Sequence, residues 1–166
     1  MSKQKVLILD KERIARKMQR MAYELWEHNS HETHVTLLGI EGSGFAVAQN
    51  LAERLKHISP LMIDVLPLTV NKKNPKDTEI KIPADISGKS VVLVDDVANS
   101  GKTLLYALRP ILNYDVKKIM VAVLVDRKHK AYPVSSDIVG HSVATTIQEH
   151  IEVETNGNEI TAAYLM

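Results

Sequence analysis

The sequence predicts an α/β fold: an open, mainly parallel twisted sheet with helices on both faces and a small hairpin closing the chain. Three observations carry this expectation. Short apolar runs alternate with stretches of helical periodicity along most of the chain. One run, Val91–Val94, holds four apolar residues, three of them β-branched, as a strand buried on both faces would. That run leads through Asp95-Asp96 and a Ser-Gly-Lys-Thr turn into an apolar helical pattern. Strand, turn and helix in that order place polar groups at the carboxyl edge of a sheet, where such folds bind ligands.

The elements follow in chain order. Ile14, Met18, Met21, Ala22 and Leu25 share one helical face between Lys11 and His28, with Asp10 as N-cap and Asn29 as stop. Val35–Ile40 reads as a buried strand, Glu41-Gly42-Ser43-Gly44 as the turn after it, and Phe45 to about His57 as a helix. Leu61–Leu66 is a further strand. Residues 67–89 are polar, with three prolines and several lysines, and read as a flexible loop or hairpin; long loops in small domains often serve as lids. The strand Val91–Val94 and the helix Lys102–Leu112 come next, then the strand Ile119–Val125. Ile151–Glu154 and Ile160–Tyr164 flank Asn156-Gly157, which predicts a closing hairpin. Alternation with right-handed crossovers gives the mainly parallel sheet. No repeat or linker interrupts it, so residues 1–166 are expected to form one domain.

Composition removes several function classes. The chain has no cysteine, which excludes a thiol nucleophile and a cysteine-held metal. Its formal net charge of +1 gives no global attraction to nucleic acid, so RNA binding would need a local patch. The apolar run near the N-terminus is too short for a signal peptide, and no stretch approaches the roughly 18 apolar residues of a membrane span. A cytoplasmic protein with no membrane partner is expected.

The segment Val91–Thr103, VVLVDDVANSGKT, is the most informative. A helix N-terminus offers unpaired N–H groups and a favourable dipole to an anion. Asp95 and Asp96, one step earlier, offer oxygen acceptors to sugar hydroxyls or a hydrated Mg²⁺. Together they predict a compound ligand, a phosphate with a diol beside it. The ending Gly101-Lys102-Thr103 also matches a nucleoside-triphosphate loop, but that motif needs glycine where Asp96 stands. Two carboxylates at the mouth of a triphosphate cradle would repel it. One Asp here could be a plain strand-end turn or cap; two, followed by Ser and Thr around a Gly, point to a ligand.

This segment resembles the phosphoribosyl-pyrophosphate (PRPP) signature of type I phosphoribosyltransferases, with Ser100 in the first hydroxyl position. VLILDKERIARKMQRMAYELWEHN and AVLVDRKHKAYPVSSDIVGHSV resemble one branch of that family, the bifunctional pyrimidine-operon attenuation regulators and uracil phosphoribosyltransferases. The resemblance runs along nearly the whole chain and is weakest in the middle. It implies the corresponding fold, with a small hood. It also implies that Asp95 and Asp96 hold the ribose hydroxyls and act as the catalytic pair. Val97, Ala98, Asn99, Ser100, Gly101, Lys102 and Thr103 would complete the ribose and 5′-phosphate site.

Further sites fall on the same sheet edge. Glu41, Gly42, Ser43 and Gly44 can present N–H groups to an anion, or be a tight turn only. The resemblance implies a pyrophosphate loop here, yet Glu41 and Ser43 stand where Lys and Arg are usual. An acid beside pyrophosphate costs binding unless Mg²⁺ or a distant Lys compensates. Lys72 and Lys73 are either solvated or the flexible-loop cations of a lid; the resemblance implies the latter. Val125, Asp126 and Arg127 are a charged strand end or, by resemblance, the base side. No metal-ligating cluster is evident, so Mg²⁺ is expected to arrive with PRPP near Asp95 and Asp96.

The expected activity is Mg²⁺-dependent transfer of a phosphoribosyl group from PRPP to a nucleobase, uracil first. Two alternatives stay open: a nucleotide-sensing RNA-binding regulator with weak or no transferase activity, and a purine transferase. Arg13, Arg16, Lys17 and Arg20 recur on one side of the first helix, as a solvated face or an RNA-binding one. A homodimer or higher homo-oligomer is implied by the resemblance.

Overall fold

The computed structural model describes residues 4–71, 73, 74, 76, 80–146 and 148–166. Chain order is β1 (Val6–Leu9), α1 (Lys11–His28), β2 (His34–Ile40), α2 (Ser43–Ile58), β3 (Met62–Leu68), β4 (Ser90–Ala98), α3 (Lys102–Ile111), β5 (Lys118–Arg127), β6 (Ile138–Val143), β7 (Ile151–Asn156) and β8 (Glu159–Leu165).

Five strands form a wholly parallel sheet in the order β3-β2-β4-β5-β6. The strand alternation divides its apolar residues between two cores. Leu37, Val92, Val94 and Ala122 pack under α1 and α2, while Leu38, Val91, Leu93 and Val121 pack under α3. Helices therefore cover both faces, as expected. From β2 the chain moves outward to β3, whereas from β4 it moves the other way to β5. The carboxyl ends of β2 and β4 thus flank the point where strand order reverses, the crevice in which such sheets bind ligands.

Helix α1 begins and ends where the sequence indicates. The Asp10 carboxylate accepts a hydrogen bond from Arg13 N at 2.8 Å, satisfying one orphan donor of the first turn. At the other end the buried Asn29 side chain donates to Leu25 O at 2.8 Å and accepts from Ser90 Oγ at 2.6 Å. The helix stop therefore also fastens α1 to the start of β4.

The remaining strands form a second, antiparallel sheet in the order β1-β8-β7. The hairpin around Gly157 was expected; its third strand, β1, and the parallel strand β6 were not. A four-residue β1 gains its partner only from the far end of the chain, and the apolar run of β6 is interrupted in sequence by Gly140, His141 and Ser142.

Two boundaries differ from expectation. Strand β3 continues through Pro67 to Leu68, two residues into the stretch expected to be loop. It is an edge strand, paired with β2 alone, where a proline without an N–H is tolerated. Strand β4 does not stop at Val94 but carries Asp95 and Asp96 within it to Ala98. The acids therefore stand on the last residues of a strand paired with β5, a more rigid support than a turn. Among the described residues of 69–89 there is no hairpin. Ile80, Ile82 and Ile86 instead pack into the α3-side core, so the second half of that stretch is anchored. Among the described residues no helix is long and apolar enough to cross a membrane.

Candidate functional site

A cavity of about 300 Å³ opens at the carboxyl end of β4. An unbroken run from Asp95 to Gly101 lines it, with Thr103 and Leu104 of α3, Ser43 of α2, and Ile151, Glu152 and Val153 of β7. The turn after β2 and the turn after β4 meet here because both lie at the sheet's reversal point.

The two acids are differently placed. Asp95 is buried, with 1% of its surface exposed, and its Oδ1 accepts from Asp96 N at 2.8 Å. Asp96 is half-buried, and its Oδ1 accepts from Val97 N at 2.7 Å. Each carboxylate is thus fixed by the next backbone amide. The first turn of α2 fits against this pair only because residue 44 is glycine. A Cβ there would lie 2.7 Å from Asp95 Oδ1 and 3.2 Å from Asp95 Cα.

The loop that follows is shaped to receive an anion. Gly101 adopts φ 87°, a left-handed conformation that costs other residues about 1–2 kcal/mol, and this turns the chain directly into α3. Ser100 Oγ accepts from Lys102 N at 3.2 Å, while the N–H groups of Thr103 and Leu104 begin a helix and have no partner within it. The loop is bolted from behind, since Ser100 O accepts from Ala131 N at 3.0 Å and Tyr132 N at 3.1 Å. On the hood side, Asn99 Oδ1 accepts from Ile151 N at 3.4 Å.

Of the expected site residues, Asp95, Asp96, Val97, Ala98, Asn99, Ser100, Gly101, Thr103 and Ser43 share this cavity. Lys102, Glu41, Gly42 and Gly44 do not line it, and Glu41 is exposed. Lys73 is exposed on its own turn, its N–H donating to Asn71 Oδ1 at 3.1 Å. Lys72 lies outside the described residues. Among the described lining residues there is no Lys or Arg. Ile151, Glu152 and Val153 escaped the sequence reading, because the hairpin signal gives a strand pair without saying what it will cover.

A second cavity of about 1040 Å³ shares Ser100 with the first and is lined by Arg127, His129, Lys130, Ala131, Thr145, Thr146 and Gln148. The Arg127 guanidinium donates to Thr145 Oγ1 at 2.6 Å and Thr146 O at 2.9 Å. Asp126 pairs with Lys130 Nζ at 2.7 Å, both side chains being largely buried. Val125 is fully buried in the core, so of the three expected base-side residues only Arg127 reaches this space.

Arg13, Arg16, Lys17 and Arg20 of α1 line a third cavity of about 370 Å³. Arg20 reaches Gly140 O at 2.6 Å and Glu24 at 2.7 Å, which ties the patch to β6. His141, on β6, is held below its ordinary pKa by burial and then by the charges of Lys17 and Arg13.

Comparison with known proteins agrees with this geometry. The profile of the phosphoribosyl transferase domain matches residues 7–156. The chain is 36% identical over 172 residues to the bifunctional protein PyrR of Pelotomaculum thermopropionicum, covering 96% of this chain and 95% of that one. Among solved structures it superposes on the hypoxanthine phosphoribosyltransferase of Trypanosoma cruzi with a TM-score of 0.77 at 14% identity, covering 95% of each chain. A hypoxanthine-guanine phosphoribosyltransferase from Bacillus anthracis gives 0.74 at 16% identity, over 86% of this chain and 84% of that one. At those identities the structural likeness speaks to the fold.

Proposed function

The chain belongs to the phosphoribosyl transferase domain family, and we propose that it transfers the 5-phosphoribosyl group of PRPP to uracil with Mg²⁺ present. It is a phosphoribosyltransferase. The observation that carries it is the sharing of one cavity by Asp95, Asp96, the run from Ala98 to Gly101, and Thr103.

In this reading the loop's N–H groups and the Ser100 and Thr103 hydroxyls take the 5′-phosphate. Asp95 and Asp96 take the ribose 2′ and 3′ hydroxyls. The C1–oxygen bond to pyrophosphate breaks with its electron pair leaving on oxygen, and a base nitrogen closes on C1 from the opposite face, its N–H proton passing to solvent or to the departing pyrophosphate. The protein needs no nucleophile for this; it supplies orientation and fixed charge. The two carboxylates lie where positive charge develops on the sugar, and the hood strand β7 limits water at C1. The acceptor base would occupy the second cavity, where Arg127, Lys130 and the threonines offer donors to ring carbonyl oxygens.

The donor set suits magnesium. Among the described residues no group of three or more His, Asp or Glu stands together as a metal site. Two neighbouring carboxylates are, however, a suitable partner for a Mg²⁺ that keeps waters and phosphate oxygens as its other ligands. When bound, the ion would neutralise pyrophosphate charge. That help is needed here, since the described lining carries acids and no Lys or Arg. We treat residues 1–166 as one domain, working in the cytoplasm as a homodimer or higher homo-oligomer.

The test is a PRPP-dependent assay across uracil, hypoxanthine, guanine, adenine and orotate, with Mg²⁺ varied. Uracil should be preferred and chelation should abolish turnover. Turnover with a purine base alone would replace the acceptor, and turnover unaffected by chelation would remove the metal.

A second reading rests on the α1 patch. Four cations around one cavity suit the phosphates of RNA, and the relatives carry the name bifunctional. It would make the chain a nucleotide-sensing regulator as well. Filter binding to a pyrimidine-gene leader RNA, with and without UMP, tests it; affinity no better than for unrelated RNA at moderate salt would end it.

A further inference from the structure

On the outer side of α2 a groove of about 570 Å³ runs beside β3 and the tip of the β7–β8 hairpin. Among the described residues it shares none with the cavity around Asp95. Phe45 and Val65 give it apolar walls, Gln49, Asn50 and Asn158 bring amides, Arg54 and Lys56 bring two positive charges, and the exposed Glu53 brings one negative charge, which leaves the lining net positive.

Arg54 is the informative residue. Its Nε donates to Asn50 Oδ1 at 2.7 Å, and one terminal nitrogen donates to Gln19 Oε1 at 2.8 Å. Both acceptors are neutral. Among the described residues no carboxylate lies within ion-pair distance of this guanidinium, and the adjacent Glu53 pairs with His57 Nε2 at 3.3 Å instead. Burial holds Arg54 below its ordinary pKa. A guanidinium carries five N–H donors, so most of its hydrogen-bonding capacity is left beside the groove. A partly desolvated cation among neutral acceptors has lost hydration that no protein charge returns.

We propose that this groove is a second ligand site, for a phosphomonoester carrying a planar or apolar body of mononucleotide size. The volume falls within the range of small-molecule sites. Arg54 would meet two phosphate oxygens as a fork, with Lys56 adding charge from the rim. Phe45 would pack on the planar body, and the Gln49 and Asn158 amides would fix its edges. The site also has a physical route to the candidate active site. Phe45 follows Gly44, and Gly44 abuts Asp95, so one turn of α2 touches both ligands. An occupant of the groove is expected to change affinity at Asp95, and the reverse.

The experiment titrates the full chain with phenyl phosphate, with inorganic phosphate and phenol as part-probes, and follows ¹⁵N-resolved NMR signals. Phenyl phosphate should saturate and shift Arg54 Nε–H and the side-chain amides of Gln49 and Asn158. Inorganic phosphate should shift the same signals more weakly. Arg54→Gln should weaken binding about tenfold or more, as loss of charge-assisted hydrogen bonds does. Arg54→Lys, which keeps the charge and removes the fork, should fall between the two. Shifts confined to the Asn99–Thr103 loop, failure to saturate, or equal affinity in wild type, Arg54→Gln and Arg54→Lys would each overturn the proposal.

Discussion

Gly44 and Asp95 touch across the candidate site: a Cβ on Gly44 would lie only 2.7 Å from Asp95 Oδ1. The same oxygen accepts from Asp96 N, so it cannot swing aside without breaking that bond. Gly44→Ala should therefore displace Asp95 rather than simply fill space. We expect a loss of about 1–3 kcal/mol of stability, as overpacking typically costs. Activity should fall roughly a hundredfold, as misplacement of about an ångström does. Thermal melts and kcat/KM for PRPP check it, and unchanged kinetics with a lowered Tm would show that Asp95 is not used.

Asp95→Asn with Asp96→Asn should separate folding from function. Each Asn keeps an oxygen that can accept from the following amide, so the local bonds survive. What disappears is the charge proposed to hold ribose and to favour the developing cation. The double variant should lose roughly a hundredfold or more in turnover, the scale seen when one electrostatic contact to a transition state is removed. Its circular dichroism should match wild type. Full activity would refute the central assignment.

Much of this arrangement was readable from the residues. Val91–Val94 announced a central strand, Asp10 and Asn29 marked the ends of α1, and the run to Thr103 located the cavity. What escaped depends on distant partners. The run Val6–Leu9 becomes a strand only because β8 returns beside it, and Ile151–Val153 become site residues only because the hood folds over β4. Asp95 and Asp96 read as lying just past the end of the strand, since carboxylates are poor strand formers in isolation. Pairing of β4 with β5 overrode that preference. Lys130 gave no sign that it would pair with Asp126, because a charged stretch after a strand reads as solvated.

That pair yields a stability prediction. Lys130 and Asp126 side chains are only 11% and 14% exposed. Removing one partner strands the other charge in a poorly hydrated place. Lys130→Met should cost on the order of 3 kcal/mol, and Asp126→Asn added to it should recover most of the loss. Denaturant unfolding of the single and double variants measures this; additive losses would show that the two charges are not coupled.

His141 gives a pH dependence with a definite sign. Its folded pKa lies below the ordinary 6.5, through burial first and then Lys17 and Arg13. The unfolded chain therefore binds more protons just below that value, and stability must decline as pH falls through it. The decline ends once pH is below the depressed folded value. Urea unfolding across this window, wild type against His141→Gln, should show a difference that grows as pH falls from 7. Parallel curves would mean that His141 is not the group responsible.

The turn after β2 presents Glu41 and Ser43, while the described lining of the cavity offers carboxylates and no Lys or Arg. PRPP brings several negative charges, so Glu41 should oppose its pyrophosphate end. Glu41 makes its fixed contact through the backbone, its N–H donating to Leu68 O at 2.8 Å, and a new side chain leaves that bond intact. Glu41→Lys with Ser43→Arg therefore changes charge by three units at an exposed turn without disturbing Gly42 or Gly44. At about 6 Å in water-like surroundings each unit charge is worth about 0.7 kcal/mol, so three sum to about 2 kcal/mol, roughly a thirtyfold fall in KM for PRPP at low salt. The gain should shrink as salt is raised, because the turn is exposed. The Mg²⁺ requirement should relax at the same time, since protein cations would then share the neutralisation. A KM that rises, or stays fixed at low salt, would show that pyrophosphate does not lie against this turn.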